Sequence, residues 1–388
     1  MKNFRWEPEL VQETIQEIAQ DATTRLDRSQ KLPRHPLDDF GVGSDLYMGT
    51  TGVIWALTYL DRMQAVRARA DFTALLQDQL LANEKDSSRM PHPENASYLF
   101  GDLPIFMLQF RLAPDTRITD RLFESIRKNN VQPVREFMWG AAGSMLCANF
   151  LYGWTSEDRW KELYLFQAER LLSERERIDG VGYLWTVDLY GQKQKFLGPV
   201  HGFAGNIIPF IKGRDLLPKT VYEDVCSKAV ETLVNTAITD DTHANWVAVF
   251  DEFDRTQNPH LVQHCHGAPG MVTVFSDFAS GIDRRFDRLM EKAGELIWDV
   301  GPLQKGANLC HGTAGNGYAL LKLCRRTRND LWLERARAFA MNAIGQYRAA
   351  KELYGQGRYT LWTGDLGTAV YLWDCINGEA NFPTVDVF

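Results

Sequence analysis

The stretch CHGTAGNGYAL, residues 310–320, states a pattern that the rest of the chain repeats. A glycine is followed three positions later by a second glycine, and the pair leads into an apolar run. Toward the N-terminus the phrase returns as CHGAPGMVTVF (265–275), VHGFAGNIIPF (200–210), MWGAAGSMLCA (138–148), LFGDLPIFML (99–108) and YMGTTGVIWAL (47–57). Toward the C-terminus it returns once, as WTGDLGTAVYL (362–372). Six of the seven keep a strict G-x-x-G; the phrase at 99–108 has Pro104 where its second glycine would fall. Successive first glycines are 39 to 65 residues apart, room for two helices and their connections. A period of this length marks a repeat architecture in which neighbouring units stack to bury one continuous core.

The segments between phrases supply the two helices. In WLERARAFAMNAIGQY (332–347), Trp332, Ala336, Phe339, Ala340, Ala343, Ile344 and Tyr347 recur near i, i+3, i+4 and i+7. That is the stripe of an amphipathic helix with one face in the core. The runs after the glycines, such as NGYALLKLC (316–324), are apolar nearly all round and read as more buried helices. MVTVFSDF (271–278) is rich in β-branched residues and could pass for a strand, but its place in the repeat predicts a helix. No βαβ alternation appears. The reading is therefore all-α: a seven-fold α/α toroid, a double layer of inner and outer helices, forming a single domain over 1–388. Residues 1–40 are read as an N-terminal lead-in to the first repeat. The glycines would sit where each inner helix begins, close to a crowded axis where a side chain would obstruct neighbouring backbone.

Composition narrows the class of partner. Of 388 residues, 43 are Lys or Arg and 50 are Asp or Glu, a formal charge of −7. A mildly acidic surface lacks the basic footprint that nucleic acid or an anionic membrane requires. No window approaches the 18 or so apolar residues of a membrane span. The N-terminus reads MKNFRWEPEL and lacks the apolar core of a secretory signal. Six widely spaced cysteines do not form a secreted disulfide framework, so a cytoplasmic setting is expected.

The repeats are unequal in one respect. His201, His266 and His311 each precede a first glycine, and Cys265 and Cys310 precede two of those histidines. Equivalent positions of adjacent repeats should converge at one rim, bringing Cys265 and the Cys310–His311 pair together. Two thiolates and one imidazole are the donors of a catalytic type of Zn²⁺ site with a fourth position open. His264 and His266 flank Cys265 and remain alternative nitrogen ligands. Cys147, Cys226, Cys324 and Cys375 read as small core hydrophobes.

HCHGAPG (264–270), LCHGTAGNGYALLKL (309–323) and FLGPVHGFAGN (196–206) resemble the lanthionine synthetase C-like (LanC-like) proteins. All seven glycine phrases have counterparts in that family's double-layered toroid. The resemblance implies Zn²⁺ held by Cys265, Cys310 and His311, and a functional histidine at His201. It also implies thioether formation, in which a Cys thiol from a peptide or from glutathione adds to dehydroalanine or dehydrobutyrine in a dehydrated peptide or protein. A separate dehydratase would supply that substrate. His201 is the expected proton carrier for the carbanion-like carbon that addition creates, with His266 second. Trp185, Asp188 and Tyr190 are placed at the mouth of the site. Two other readings stay open: an α/α-toroid glycoside hydrolase using Asp102 and Asp365, and a non-catalytic peptide-binding scaffold with a structural zinc.

Overall fold

The computed structural model describes residues 4–29, 32–39, 41–67, 71–85, 96–189, 191–250 and 261–388. Each glycine phrase ends a connection and starts a helix. The inner helices are α2 (Thr50–Arg62), α4 (Leu103–Leu112), α6 (Ala141–Thr155), α8 (Phe203–Lys212), α10 (Ala268–Phe275), α12 (Thr313–Thr327) and α14 (Asp365–Asn377). In order around the ring each packs on the next, and α14 packs on α2, which closes the circle. The outer layer comprises α1 (Pro8–Ser29), α3 (Thr73–Lys85), α5 (Thr116–Asn129), α7 (Asp158–Ser173), α9 (Lys219–Thr236), α11 (Arg284–Val300) and α13 (Asp330–Tyr354). The fold is the seven-fold α/α toroid.

Two segments depart from a bare alternation of helices. The lead-in carries α1, whose Val11, Ile15, Ile18, Ala19, Ala22 and Leu26 are buried against α14, α13 and α2. It is thus the seventh outer helix, and it completes the outer layer across the join between the chain's two ends. The longest intervals of the repeat, on either side of Gly202, hold three short antiparallel hairpins. These pair β1 (Glu176–Ile178) with β2 (Gly182–Leu184), β3 (Val187–Leu189) with β4 (Gln192–Gln194), and β5 (Ile238–Thr239) with β6 (Ala244–Asn245). The β-branched run after Gly270 is the helix α10, because its whole surface is buried and position in the ring outweighs a weak local preference.

The second glycines show what holds neighbours at this spacing. A Cβ on Gly52 would overlap the Leu46 carbonyl and lie 2.9 Å from Leu361 Cβ in the seventh repeat. One on Gly205 would lie 2.9 Å from Phe137 Cβ in the third repeat, and one on Gly367 would lie 2.7 Å from Leu309 Cδ1 in the sixth. Each inner helix therefore starts in contact with the preceding repeat, with no space for a methyl group.

At the far end of the ring, by the last turns of the inner helices, the C-terminal segment folds inward. Phe388 sits among Trp55, Tyr98, Phe150 and Trp154. The Asp386 carboxylate pairs with Lys212 and, at 2.7 Å, with the buried Lys322. Asp277 pairs with the same two lysines. Burial alone would raise the Asp277 carboxyl, but Lys322 and Lys212 outweigh it and hold it well below the usual range. Buried charges persist where they are paired in this way.

Gly52→Ala should destabilise the protein by on the order of 3 kcal/mol, the cost of overpacking against rigid backbone. Gly345→Ala, on the exposed face of α13 with open space around it, should instead stabilise by about 0.5–1 kcal/mol. Thermal or urea denaturation measures both. Burial pushes Asp374 up to about 7. Its contribution to stability is therefore complete below pH 4 and is lost as pH rises through 7. Relative to Asp374→Asn, wild-type protein should lose stability over that window by at most about 1.4 kcal/mol per pH unit, measured by urea unfolding at several pH values.

Candidate metal centre

Two positions before each first glycine lie Tyr47, Leu99, Met138, Val200, Cys265, Cys310 and Trp362. Their peptide groups link the repeats head to tail. The N–H of Tyr47 donates to Leu99 O (3.1 Å), Leu99 to Met138 (3.2 Å), and Met138 to Val200 (3.3 Å). Cys265 donates to Cys310 (3.3 Å), Cys310 to Trp362 (3.0 Å), and Trp362 back to Tyr47 (3.0 Å). Between the fourth and fifth repeats, Gly198 lies so close to the Cys265 carbonyl that a Cβ would overlap it. This circle of backbone contacts makes Cys265 and Cys310 neighbours across 45 residues of chain.

The side chains follow. One ligand atom each from Cys265, Cys310 and His311 lies within 4.8 Å of the other two, a set that could hold a metal ion. Cys310 Sγ and His311 Nε2 are 3.6 Å apart. Zn–S and Zn–N bonds of about 2.3 and 2.05 Å at tetrahedral angles give donor separations of about 3.5–3.8 Å. Both sulfurs are buried, and their protonation is linked. The hydrogen bond from Cys310, with help from His311, holds the Cys265 thiol well below its ordinary range. Burial and the nearby Cys265 push Cys310 well above it. A low-dielectric pair of this kind keeps one proton until a cation compensates both charges. The donor set fits a thiophilic divalent ion such as zinc.

Beyond the cluster itself, two groups among the described residues donate to the sulfurs. The Tyr47 hydroxyl reaches Cys310 Sγ at 2.7 Å, and Gln263 Nε2 reaches Cys265 Sγ at 3.0 Å. Lys305 Nζ holds the other end of Gln263 at 2.9 Å. Burial raises the Tyr47 phenol well above its ordinary range, so it stays a donor.

The residues just before the first glycines form a second circle: Met48, Phe100, Trp139, His201, His266, His311 and Thr363. His201 Nδ1 lies 3.1 Å from Glu136 Oε2. Glu136 is fully buried and accepts N–H bonds from Met138 (2.9 Å), Trp139 and Gly140 (3.0 Å) at the start of α6. A carboxylate fixed by three peptides fixes the imidazole in turn. Phe196 stands between His201 and His266, its ring 5.9 and 6.5 Å from theirs. Gly267, after His266, has φ 105°, which favours glycine. The β6 residue Asn245 caps α10 by accepting from Ala268 N at 2.7 Å.

Other expectations fare differently. His264 turns away from the cluster and stacks on Phe382 at 4.3 Å, and burial brings it down to about 4. Neither His264 nor His266 belongs to the ligand cluster found among the described residues. Trp185 is not at a mouth: it is buried, and its indole is committed to donating Nε1–H to Leu171 O of α7 at 2.8 Å. Asp188 is a surface residue of the β3–β4 hairpin, 3.6 Å from Lys193, and Tyr190 lies outside the described residues. Asp102 accepts from Asn83 and Asp365 from the Arg358 peptide N–H, each at 2.7 Å, so each is tied to its own connection. Cys147, Cys226 and Cys375 are buried and Cys324 half-buried, and all six cysteines are free. Glu136, Gln263 and Lys305 were not singled out from sequence. Tyr47 also was not, although it holds the same position in YMGTTG that cysteine holds in CHGAPG. No helix of the described residues is long and apolar enough to cross a membrane.

Residues 41–387 match the family described as "Lanthionine synthetase C-like protein". The chain is 34% identical over 132 residues to "Glutathione S-transferase LANCL1" of Danio rerio, covering 33% of this chain and 32% of that protein. It is 33% identical over 136 residues to "LanC-like protein GCL1" of Arabidopsis thaliana, covering 33% and 30%. The chain thus spans about a third of the length of the curated relatives it matches. Among solved structures, "Nisin cyclase" superposes with a TM-score of 0.59 at 14% identity, covering 93% of this chain and 98% of that one. That likeness is one of fold.

Chelator-treated protein titrated with zinc should take up one tight equivalent. Cys265→Ala, Cys310→Ala or His311→Ala should each weaken it on the order of 100-fold or more. His264→Phe, which keeps the stack on Phe382, should leave it unchanged.

Proposed function

Because the chain belongs to the lanthionine synthetase C-like family, we propose that it is an enzyme forming carbon–sulfur bonds. The reaction is addition of a cysteine thiol to the β-carbon of a dehydroalanine or dehydrobutyrine residue, giving a thioether. The observation that carries this reading is the convergence of two sulfurs and an imidazole within 4.8 Å on the rim where the His201–Glu136 pair is also held. Cys265, Cys310 and His311 would hold Zn²⁺, whose positive charge would keep a thiol deprotonated near neutral pH.

The chain's own residues do the rest. Addition forms the C–S bond and moves the alkene π pair to the α-carbon and its carbonyl. The thiol proton must leave and a proton must reach the α-carbon, so the sum is an addition with no leaving group. His201 carries that proton, with Glu136 fixing its ring and tautomer. His266 is the second candidate carrier, its buried Nδ1 having no hydrogen-bond partner among the described residues.

The named relative from Danio rerio supports glutathione as one thiol donor, and a cysteine within the dehydrated peptide is the other. The alkene would come from a separate dehydratase. Six free cysteines fit a reducing, cytoplasmic setting.

Zinc-loaded protein incubated with a dehydroalanine peptide and glutathione should give the adduct by mass spectrometry, faster than the uncatalysed addition. A dehydrated peptide carrying its own cysteine should close a ring in the same assay. His201→Asn should lower kcat by about 10²–10⁴ and Glu136→Gln by less, with zinc content unchanged. Adduct formation no faster than without protein contradicts the reading.

A further inference from the structure

The site presents an electrophilic alkene with a choice of sulfurs. Besides the incoming thiol there are Cys265 and Cys310, both anionic once a divalent ion is bound between them. If either added to the alkene, a C–S bond would form at the β-carbon and the α-carbon would take up a proton. The protein sulfur would become a neutral thioether. That residue would be lost as a ligand, so the reaction would destroy its own site.

The geometry distinguishes the two protein sulfurs from any substrate sulfur: each already carries a donor. Tyr47 O–H points at Cys310 Sγ at 2.7 Å, and Gln263 N–H points at Cys265 Sγ at 3.0 Å. Neither donor is free to swing away. The Tyr47 ring is buried between Trp362, 5.5 Å away and near parallel, and Phe100, 5.3 Å away. Its peptide groups are both used in the backbone circle. Gln263 is buried, its amide oxygen is held by Lys305, and its peptide N–H and C=O pair with those of His266 across Cys265. A hydrogen bond to an anionic sulfur draws on the lone pair that would otherwise attack carbon, and such bonds are stronger to ions than to neutral acceptors.

We propose that Tyr47 and Gln263 are positioning residues that quench the ligand sulfurs, so that the substrate thiol rather than the protein adds to the dehydroamino acid. The identity of the alkene rests on the function proposed above; the quenching itself does not. Its test therefore uses a different electrophile, iodoacetamide, in which sulfur displaces iodide to form the C–S bond. Zinc-loaded wild type, Tyr47→Phe and Gln263→Leu are treated, digested, and the alkylation rate of each of the six cysteines is read by mass spectrometry. Tyr47→Phe keeps both ring contacts and removes only the hydroxyl.

Alkylation of Cys310 should be about tenfold faster in Tyr47→Phe with Cys265 unchanged. Alkylation of Cys265 should be about tenfold faster in Gln263→Leu with Cys310 unchanged. Cys147, Cys226, Cys324 and Cys375 report on loosening of the fold, and a purely structural role would raise all six together. Equal rates in variants and wild type, or a uniform rise, overturn the proposal. If a variant binds zinc more weakly, the same residue-by-residue ratio is read at a zinc excess that restores one bound equivalent, where no preference for the predicted cysteine overturns it. Failure of the glutathione adduct assay, by contrast, counts against the proposed function and leaves this ratio standing.

Discussion

A buried peptide N–H must find a carbonyl, and in this protein it finds one in the next repeat. That requirement is met at six of the seven junctions, and the close approach of Gly198 to the Cys265 carbonyl makes the seventh, so the residue two before each glycine lies beside its neighbour. The second glycines enforce the same spacing from the other side, since a single methyl group would press on a side chain of the preceding repeat, as Gly52 would on Leu361 and Gly205 on Phe137. Because backbone does the positioning, the side chains at these places can vary without disturbing the ring. Leucine, methionine and valine hold the position in repeats two to four, cysteine in five and six, and aromatics in seven and one. Chemistry can then be set repeat by repeat on a constant frame.

Neighbouring repeats divide the work accordingly. Five and six contribute sulfur and imidazole, four and three the His201–Glu136 pair, and one the Tyr47 hydroxyl that rests on Cys310. Lys212, Lys322, Asp277 and Asp386 neutralise one another at the far end and anchor the C-terminal segment. That segment reaches back toward the rim through Phe382 on His264 and Thr384 on Trp362 Nε1 at 3.2 Å. His264 is thereby committed to packing, which explains why a histidine beside Cys265 stands outside the ligand cluster.

The inner helices could be read from the sequence because G-x-x-G leaves a local trace wherever one starts, even in α10, whose β-branched residues suggest a strand. The outer helix α1 was harder to place. Its amphipathic stripe is visible, but its partners α13 and α14 lie at the other end of the chain. The hairpins left a trace only as the two longest spacings. In the site, the convergence of Cys265, Cys310 and His311 followed from repeat equivalence, as did the place of His201. Glu136 did not: it acts from inside a connection through peptide N–H groups that no spacing reveals. Trp185 shows the converse error, an aromatic near the site in sequence whose indole is spent on Leu171 and the core.

On the function proposed here, distant turns of this ring hold one cation between two sulfurs and one imidazole. X-ray absorption at the zinc edge of the purified, zinc-loaded protein tests it most directly. The expected spectrum has two sulfur scatterers at about 2.3 Å and nitrogen or oxygen scatterers at about 2.0–2.1 Å completing four-coordination. A spectrum of nitrogen and oxygen alone, or of four sulfurs, would contradict it.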